Sequence, residues 1–385
     1  MLRARYGTAE SVRSRVAPRY TSCVRAALAL GLAALATTAA GPRTWTPAHR
    51  SPCDVPQRGP LVYHWPVKPF DRQHPIRGNF GDPRTVAAEA GLGDTAPLDP
   101  GSYTFHNGID ISAPTGTAVY PVVSGRAAVG YGDEVVVDAG DGRVFQYFHI
   151  RPTIRNGERV VAERTVLGRV LPGWLHVHLS EIDGTHVQNP VQPGHLEPYR
   201  DTTVPVVHFV EATAPDGAAM PTGALHGRVR LAASASDTPP VRVPGHWFDL
   251  PVTPALVTWQ LAHAGGRVVV RRRVAADFRR TEPPNRRFWD VYAPGTYQNF
   301  PVFGRRYFWG RPGRYLFELT PRPLDTRRLA NGRYVLTVRA ADVCGNRGML
   351  RVPLRVANYP VLRSAAAMPA IDRRSGAAAS SSPER

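Results

Sequence analysis

The chain has 385 residues, long enough for two domains with tails, and a formal net charge of +18. All of its 48 basic residues except Lys68 are arginine; with abundant alanine, proline and glycine, this reads as GC-rich codon usage more than a physical requirement. Such a charge draws a protein toward anionic polymers, but no nucleic-acid motif or basic-aromatic cluster accompanies it, so nucleic acid is not an expected partner.

Residues 1–40 read as an export signal. Arginines at positions 3, 5, 13, 15, 19 and 25 precede an uncharged apolar run over 26–36, and Ala34-Leu35-Ala36 is an A-x-A cleavage site, with Ala40 as a second candidate. The apolar stretch is shorter than the ~20 residues of a spanning helix, and no other segment is long and apolar enough. No stable membrane span is therefore expected after cleavage; an uncleaved anchor is the alternative. Residues 41–60, rich in Pro, Arg and Ser, read as a linker.

From 61 to 200 the segments are short, glycine-punctuated and rich in β-formers. Strands are expected over 118–123, 135–138, 144–149, 160–161 and 175–182. Asp141-Gly142 is a two-residue hairpin signal. An all-β, mainly antiparallel unit follows, with a groove whose floor can hold a metal. His106 and Asp110 lie four residues apart around Gly108, which permits a tight backbone path. Leu175-His176-Val177-His178-Leu179-Ser180 alternates apolar and polar residues, so His176, His178 and Ser180 share one face. Two imidazoles at i and i+2 can approach one metal, or one metal and its bound water. Two histidines with one aspartate leave the fourth tetrahedral position open, as a catalytic zinc site requires. His149 closes a strand at a loop, where its side chain can reach into a cleft.

These residues resemble the lysostaphin-type zinc endopeptidases of peptidoglycan. The resemblance runs from about residue 65 to 199 and follows the family's order. It begins with Trp65-Pro66, Asn79-Phe80-Gly81-Asp82-Pro83-Arg84, the His106 to Ile111 stretch and Ala113-Pro114-Thr115-Gly116-Thr117-Ala118-Val119. It continues through Gly125, Tyr147-Phe148-His149, Asn156-Gly157-Glu158-Arg159-Val160, Leu167-Gly168, the His176–His178 pair and Asn189-Pro190. The resemblance implies that His106, Asp110 and His178 hold Zn²⁺, and that His149 and His176 sit beside the attacking water. It implies peptidoglycan peptide stems as substrate and a secreted or envelope-associated protein. Anionic wall polymers would then be the partner that the charge favours. The rival is a non-catalytic module of the same fold that binds wall or regulates an amidase; degenerate members of this kind usually lack the metal ligands, which this chain retains. Two departures stand out. Only Arg169-Val-Leu-Pro-Gly-Trp-Leu separates Gly168 from His176, where the family has a longer loop, so Trp174 either lines the groove or caps the core edge. Asp82-Pro83 precedes Arg84 where one residue is usual. An arm that includes Asn79 could cover the zinc in a latent form.

Residues 205–357 read as a second all-strand unit, with strands over 228–233, 255–261, 267–273, 315–319, 334–339 and 350–356. The stretch from Leu329 through Asn346 resembles the late strands of immunoglobulin-like or fibronectin-like sandwiches. Between the strands lies an aromatic-rich loop with Phe288, Trp289, Tyr292, Tyr297, Phe300, Phe303, Tyr307, Phe308 and Trp309. It could stack on sugars or peptide stems, or form an irregular core insert. Signal cleavage leaves Cys53 and Cys344, and an exported compartment permits a disulfide that would clamp the N-terminal arm to the second unit. A third reading, an adhesion or structural protein, would be led by this unit. Residues 358–385, with alanine and serine runs, read as a disordered tail.

Overall fold

The computed structural model describes residues 51–54, 58–86, 103–130, 132–303 and 306–358. The expected signal, most of the expected linker and the expected tail beyond Asn358 lie outside the described residues. Among the described residues the chain is nearly all β, and every ladder between strands is antiparallel. No helix among them is long and apolar enough to cross a membrane.

The first sheet carries the histidine pair at its centre. Its strands lie in the order Ile76–Gly78, Ile109–Ser112, His176–Asp183, Arg143–Phe148, Val135–Asp138, Gly125–Val129 and Glu158–Val160, with His186–Gln188 folding back on His176–Asp183. Directly opposed residues share a face. Val177 opposes Ile111, and Leu179 opposes both Ile109 and Tyr147; all five are buried in the core. The other face of the same strands presents Asp110, His176, His178 and Phe148.

Two sequence expectations change in detail. The strand expected over 118–123 is only Ala118–Val119; Pro121 has no N–H for a ladder, and Tyr120 N donates instead to Pro66 O at 2.8 Å. The turn at Asp141-Gly142 is wider than two residues. Asp138 pairs with Val144, Ala139 N donates to Arg143 O, and Gly140 and Gly142 both take positive φ (80° and 96°).

The later residues form two four-stranded sheets. One has Val206–Thr213, Arg228–Ser236 and Leu316–Glu318 in order, with Leu324–Asp325 on the second strand. The other runs Val268–Asp277, Leu256–His263, Gly332–Ala341, Arg347–Val356. Leu231, Trp259, Leu336 and Val338 join one hydrophobic core with Trp65, Phe80 and Phe105 from the first sheet's side. The loop from Asn79 to Arg84 makes part of this contact. A Cβ on Gly81 (φ +85°) would stand 2.4 Å from the Phe278 ring, so only glycine lets the loop seat there. Tyr292 Oη donates to Gly81 O (2.6 Å) and Thr253 N to Asp82 Oδ1 (2.7 Å). Cys53 and Cys344 form a disulfide, and Ser51 Oγ donates to Cys344 O, so the N-terminal arm is tied to the later sheets.

Of the aromatic loop, Phe288, Tyr292 and Phe300 are buried, and Phe288 and Tyr292 pack with Phe105. These rings are a core insert, whereas Trp309 is 73% exposed.

Candidate metal centre

His106 leaves the strand Thr104–Phe105 and is held by the motif loop: its N donates to Asp82 O (2.8 Å) and its O accepts from Gly81 N (2.9 Å). Asp110 sits directly opposite His178 in the sheet. Three atoms therefore converge. His106 Nε2 lies 2.8 Å from His178 Nδ1 and 3.1 Å from Asp110 Oδ1, and His178 Nδ1 lies 3.1 Å from Asp110 Oδ1. All three side chains are buried. Gly108 matters for close approach rather than for turn conformation: a Cβ there would stand 2.3 Å from Leu179 O and 2.8 Å from His178 Nε2.

The outer atoms of this set are tied down. His106 Nδ1 faces Asn79 O at 2.8 Å; a carbonyl only accepts, so Nδ1 carries the hydrogen and the neutral ring offers a lone pair at Nε2. His178 Nε2 meets Ser180 Oγ at 2.8 Å, which leaves Nδ1 to face inward. Asp110 Oδ2 accepts from Arg84 NH2 at 2.8 Å, leaving Oδ1 for the histidines. Burial, then the Arg84 charge, pushes His106 down to about 3. Burial raises the Asp110 carboxyl, but His106, His176 and Arg84 outweigh it and hold it well below the usual carboxylate range. A neutral imidazole and a carboxylate thus face each other as electron-pair donors. A cation shared between them and His178 Nδ1 would convert repulsion into coordination, and two imidazoles with one carboxylate are a donor set that suits zinc. The residues fit zinc.

His149 and His176 come together beside this set, with ring centroids 4.6 Å apart. His149 takes a left-handed backbone (φ 67°), unusual for a residue with a Cβ. Its Nδ1 lies 3.0 Å from Asp133 Oδ2, and the Trp174 indole stacks on its ring at 3.7 Å, 11° from parallel. Burial, then His176 and His178, hold the His149 imidazole neutral, well below its usual range. His176 Nε2 stands 3.4 Å from Asp110 Oδ1. Its Nδ1 faces both Trp174 O, which only accepts, and Arg77 NH2, which only donates. It satisfies one at a time, and the ring hydrogen sits on Nδ1 or Nε2 accordingly. Burial also lowers His176. Of the two places open to Trp174, the structure shows the first: 44% exposed, it roofs His149 at the edge of the site. The Asn79 side chain is turned away, its Nδ2 donating to Thr253 O.

Sequence reasoning missed Asp133 and Arg77. Asp133 lies 16 residues before its histidine in an acidic turn of no special pattern, and Arg77 meets His176 across 99 residues. No local signal marks either.

No family model matches the chain, and no curated protein does. Among solved structures, Csd3 of Helicobacter pylori aligns at 19% identity over 34% of this chain and 32% of its own, with a TM-score of 0.24. Pseudoalterin, an M23 metalloprotease from the deep sea, aligns at 14% identity over 37% of this chain and 82% of its own, with a TM-score of 0.26. A structure of the SpoIIQ–SpoIIIAH pore-forming complex aligns at 18% identity over 34% of this chain and 90% of its own, also at 0.26. The alignment thus spans about a third of the Helicobacter pylori protein. Scores of this size establish neither family nor activity.

Proposed function

We propose that the chain is a zinc metalloendopeptidase, exported or held in the cell envelope, that hydrolyses peptide cross-links of bacterial peptidoglycan. His106, Asp110 and His178 are its zinc ligands. The supporting observation is the convergence of Nε2, Oδ1 and Nδ1 within 2.8–3.1 Å, each from a side chain whose other polar atom is engaged. When bound, zinc supplies Lewis acidity, which lets water attack at neutral pH and polarises a carbonyl.

The chain's own groups divide the remaining work. Asp133 takes the Nδ1 hydrogen of His149, so the lone pair is on Nε2 and can receive the proton of the attacking water. Trp174 fixes the plane of that ring. With Arg77 donating to Nδ1, His176 carries its hydrogen on Nε2, the nitrogen nearer Asp110, and can stabilise the oxyanion that forms. We read residues 61–200 as the peptidase domain and 205–357 as an immunoglobulin-like sandwich that braces the motif loop. The basic charge of the chain would hold it near anionic wall polymers.

The deciding experiment is Asp110→Ala in the full chain, with zinc content and lysis of purified walls measured together. Both should fall to background. A variant that keeps its zinc and still lyses walls removes the ligand assignment; a parent that holds zinc but never lyses walls supports the non-catalytic module.

A further inference from the structure

Arg77 stands beside the donor set, and the chemistry above uses it only as a neighbour of His176. It is 8% exposed. Its NH2 contacts His176 Nδ1, a neutral partner that does not offset its charge, and its Nε is buried with no hydrogen-bond partner. The Trp247 indole covers the guanidinium at 4.0 Å, and Trp247 is itself packed edge-on against Phe300 at 4.3 Å. Among the described residues no carboxylate stands in ion-pair contact with Arg77: Asp110 acts on it only through space and gives Oδ2 to Arg84, and Asp133 faces His149. A guanidinium already stripped of water and without a carboxylate in contact binds an incoming anion with little further desolvation, and its planar fork matches a carboxylate.

The position of Arg77 selects which carboxylate. One edge of the His176 ring touches Arg77 and the other faces Asp110 Oδ1 at 3.4 Å, so a single imidazole ring stands between the guanidinium and the donor set. A carboxylate on the carbon next to the scissile nitrogen is three bonds from the scissile carbonyl carbon, so it stands to one side of the donor set, as Arg77 does. We propose that Arg77 is a specificity-determining residue that receives the free carboxylate of the residue on the amine side of the scissile bond. This rests on the peptidase reading of the same site. It selects cross-links in which D-alanine acylates a diamino acid at a carbon bearing a carboxylate, and it disfavours glycyl–glycine bridges, which carry no carboxylate beside an internal bond. Trp247, from the short helical turn Gly245–Trp247 of the later unit, is then part of the substrate site.

The test compares ligands that carry or lack that carboxylate, on zinc-loaded full-length protein. Binding of D-alanine and of D-alaninamide is measured by NMR titration, and cleavage of acetyl-D-alanyl-D-alanine and of its carboxamide is followed in parallel. The parent should bind D-alanine at least tenfold more tightly than the amide, and should favour the carboxylate peptide by a similar factor in kcat/KM. Arg77→Gln should lose both preferences, and Arg77→Lys, which keeps the charge without the fork, should retain part of them. Equal binding of the two ligands by the parent overturns the proposal, and that comparison needs no variant to fold. So does a preference that survives intact in Arg77→Gln. If the parent cleaves neither peptide yet shows an Arg77-dependent binding preference, the carboxylate site stands and the peptidase reading falls.

Discussion

Arg84 and Asp110 form an ion pair that divides one carboxylate between two tasks. Oδ2 accepts from the guanidinium at 2.8 Å, while Oδ1 lies 3.1 Å from both His106 Nε2 and His178 Nδ1. Outer partners of this kind orient a ligand, and their loss typically lowers metal affinity about 10- to 100-fold. Arg84→Ala should therefore weaken zinc binding by that factor in competition with a chromophoric chelator. An unchanged affinity would show that the pair orients nothing.

Asp133 should act on turnover rather than on substrate binding. It holds the tautomer of His149 and touches no metal donor. Asp133→Asn is expected to lower kcat about 10- to 100-fold, part of the ~10²–10⁴ of a whole general base, with KM and zinc content little changed. A parallel loss of zinc would place Asp133 in the metal site instead.

Gly108→Ala should disrupt the centre without altering any ligand. The new Cβ meets a backbone carbonyl at 2.3 Å, which cannot swing aside as a side chain would. Overpacking of this kind costs about 1–3 kcal/mol. A lowered melting temperature together with substoichiometric zinc is expected; normal values of both would mean that the turn has slack the structure does not show.

The Cys53–Cys344 bond closes a loop across a sequence separation of 291 residues. Reduction, or Cys344→Ser, should lower stability by about 2–5 kcal/mol. Zinc ligation should survive at room temperature, since neither cysteine lies at the donor set. Denaturant titration with and without reductant measures the first effect, and metal analysis the second.

Asp201, Asp237 and Asp342 come together beside Asn79 and Thr253, behind the motif loop. Burial, then Asp201, raises the Asp342 carboxyl to about 7; burial also raises Asp201 and, with its two neighbours, Asp237. A carboxyl whose folded pKa is raised binds more protons folded than unfolded between about 4 and 7. Its contribution to stability is therefore lost as pH rises through that window, then levels off. Asp342→Asn cannot ionise, so its stability relative to the parent should grow with pH by on the order of 1–3 kcal/mol and plateau above about 7. A difference independent of pH would mean that these carboxyls titrate normally.

Part of this protein was legible before folding. Val135–Asp138 is a strand over the span its β-branched residues indicate, and the alternation through Leu175 to Ser180 puts His176 and His178 on one face, as period two requires. Strand ends were less legible, because they depend on partners: His176–Asp183 stops where its pairing with Arg143–Phe148 ends at Asp183. Trp174 had two places open to it, and stacking against His149 selected one. The aromatic loop divided for the same reason. Phe288 and Tyr292 have Phe105 to pack against, whereas Trp309 is left largely exposed.

The sequence by itself determined the residues that could hold a metal, the strand period that aligns them and the glycines that let backbones approach. These are local properties, set by residue type and by spacing of a few positions. Tertiary structure decided which nitrogen of His106 faces inward, because Asn79 O, 27 residues away in the chain, engages the other. It decided that Asp133 faces His149 and that Arg77 lies under Trp247 against His176, with no carboxylate in ion-pair contact among the described residues. It also decided that the later sheets, through Tyr292 and Thr253, hold the loop from which Asn79 and Arg84 reach the site. Those outcomes depend on contacts between distant segments, and distant contacts are set by sheet order and core packing rather than by any pattern along the chain.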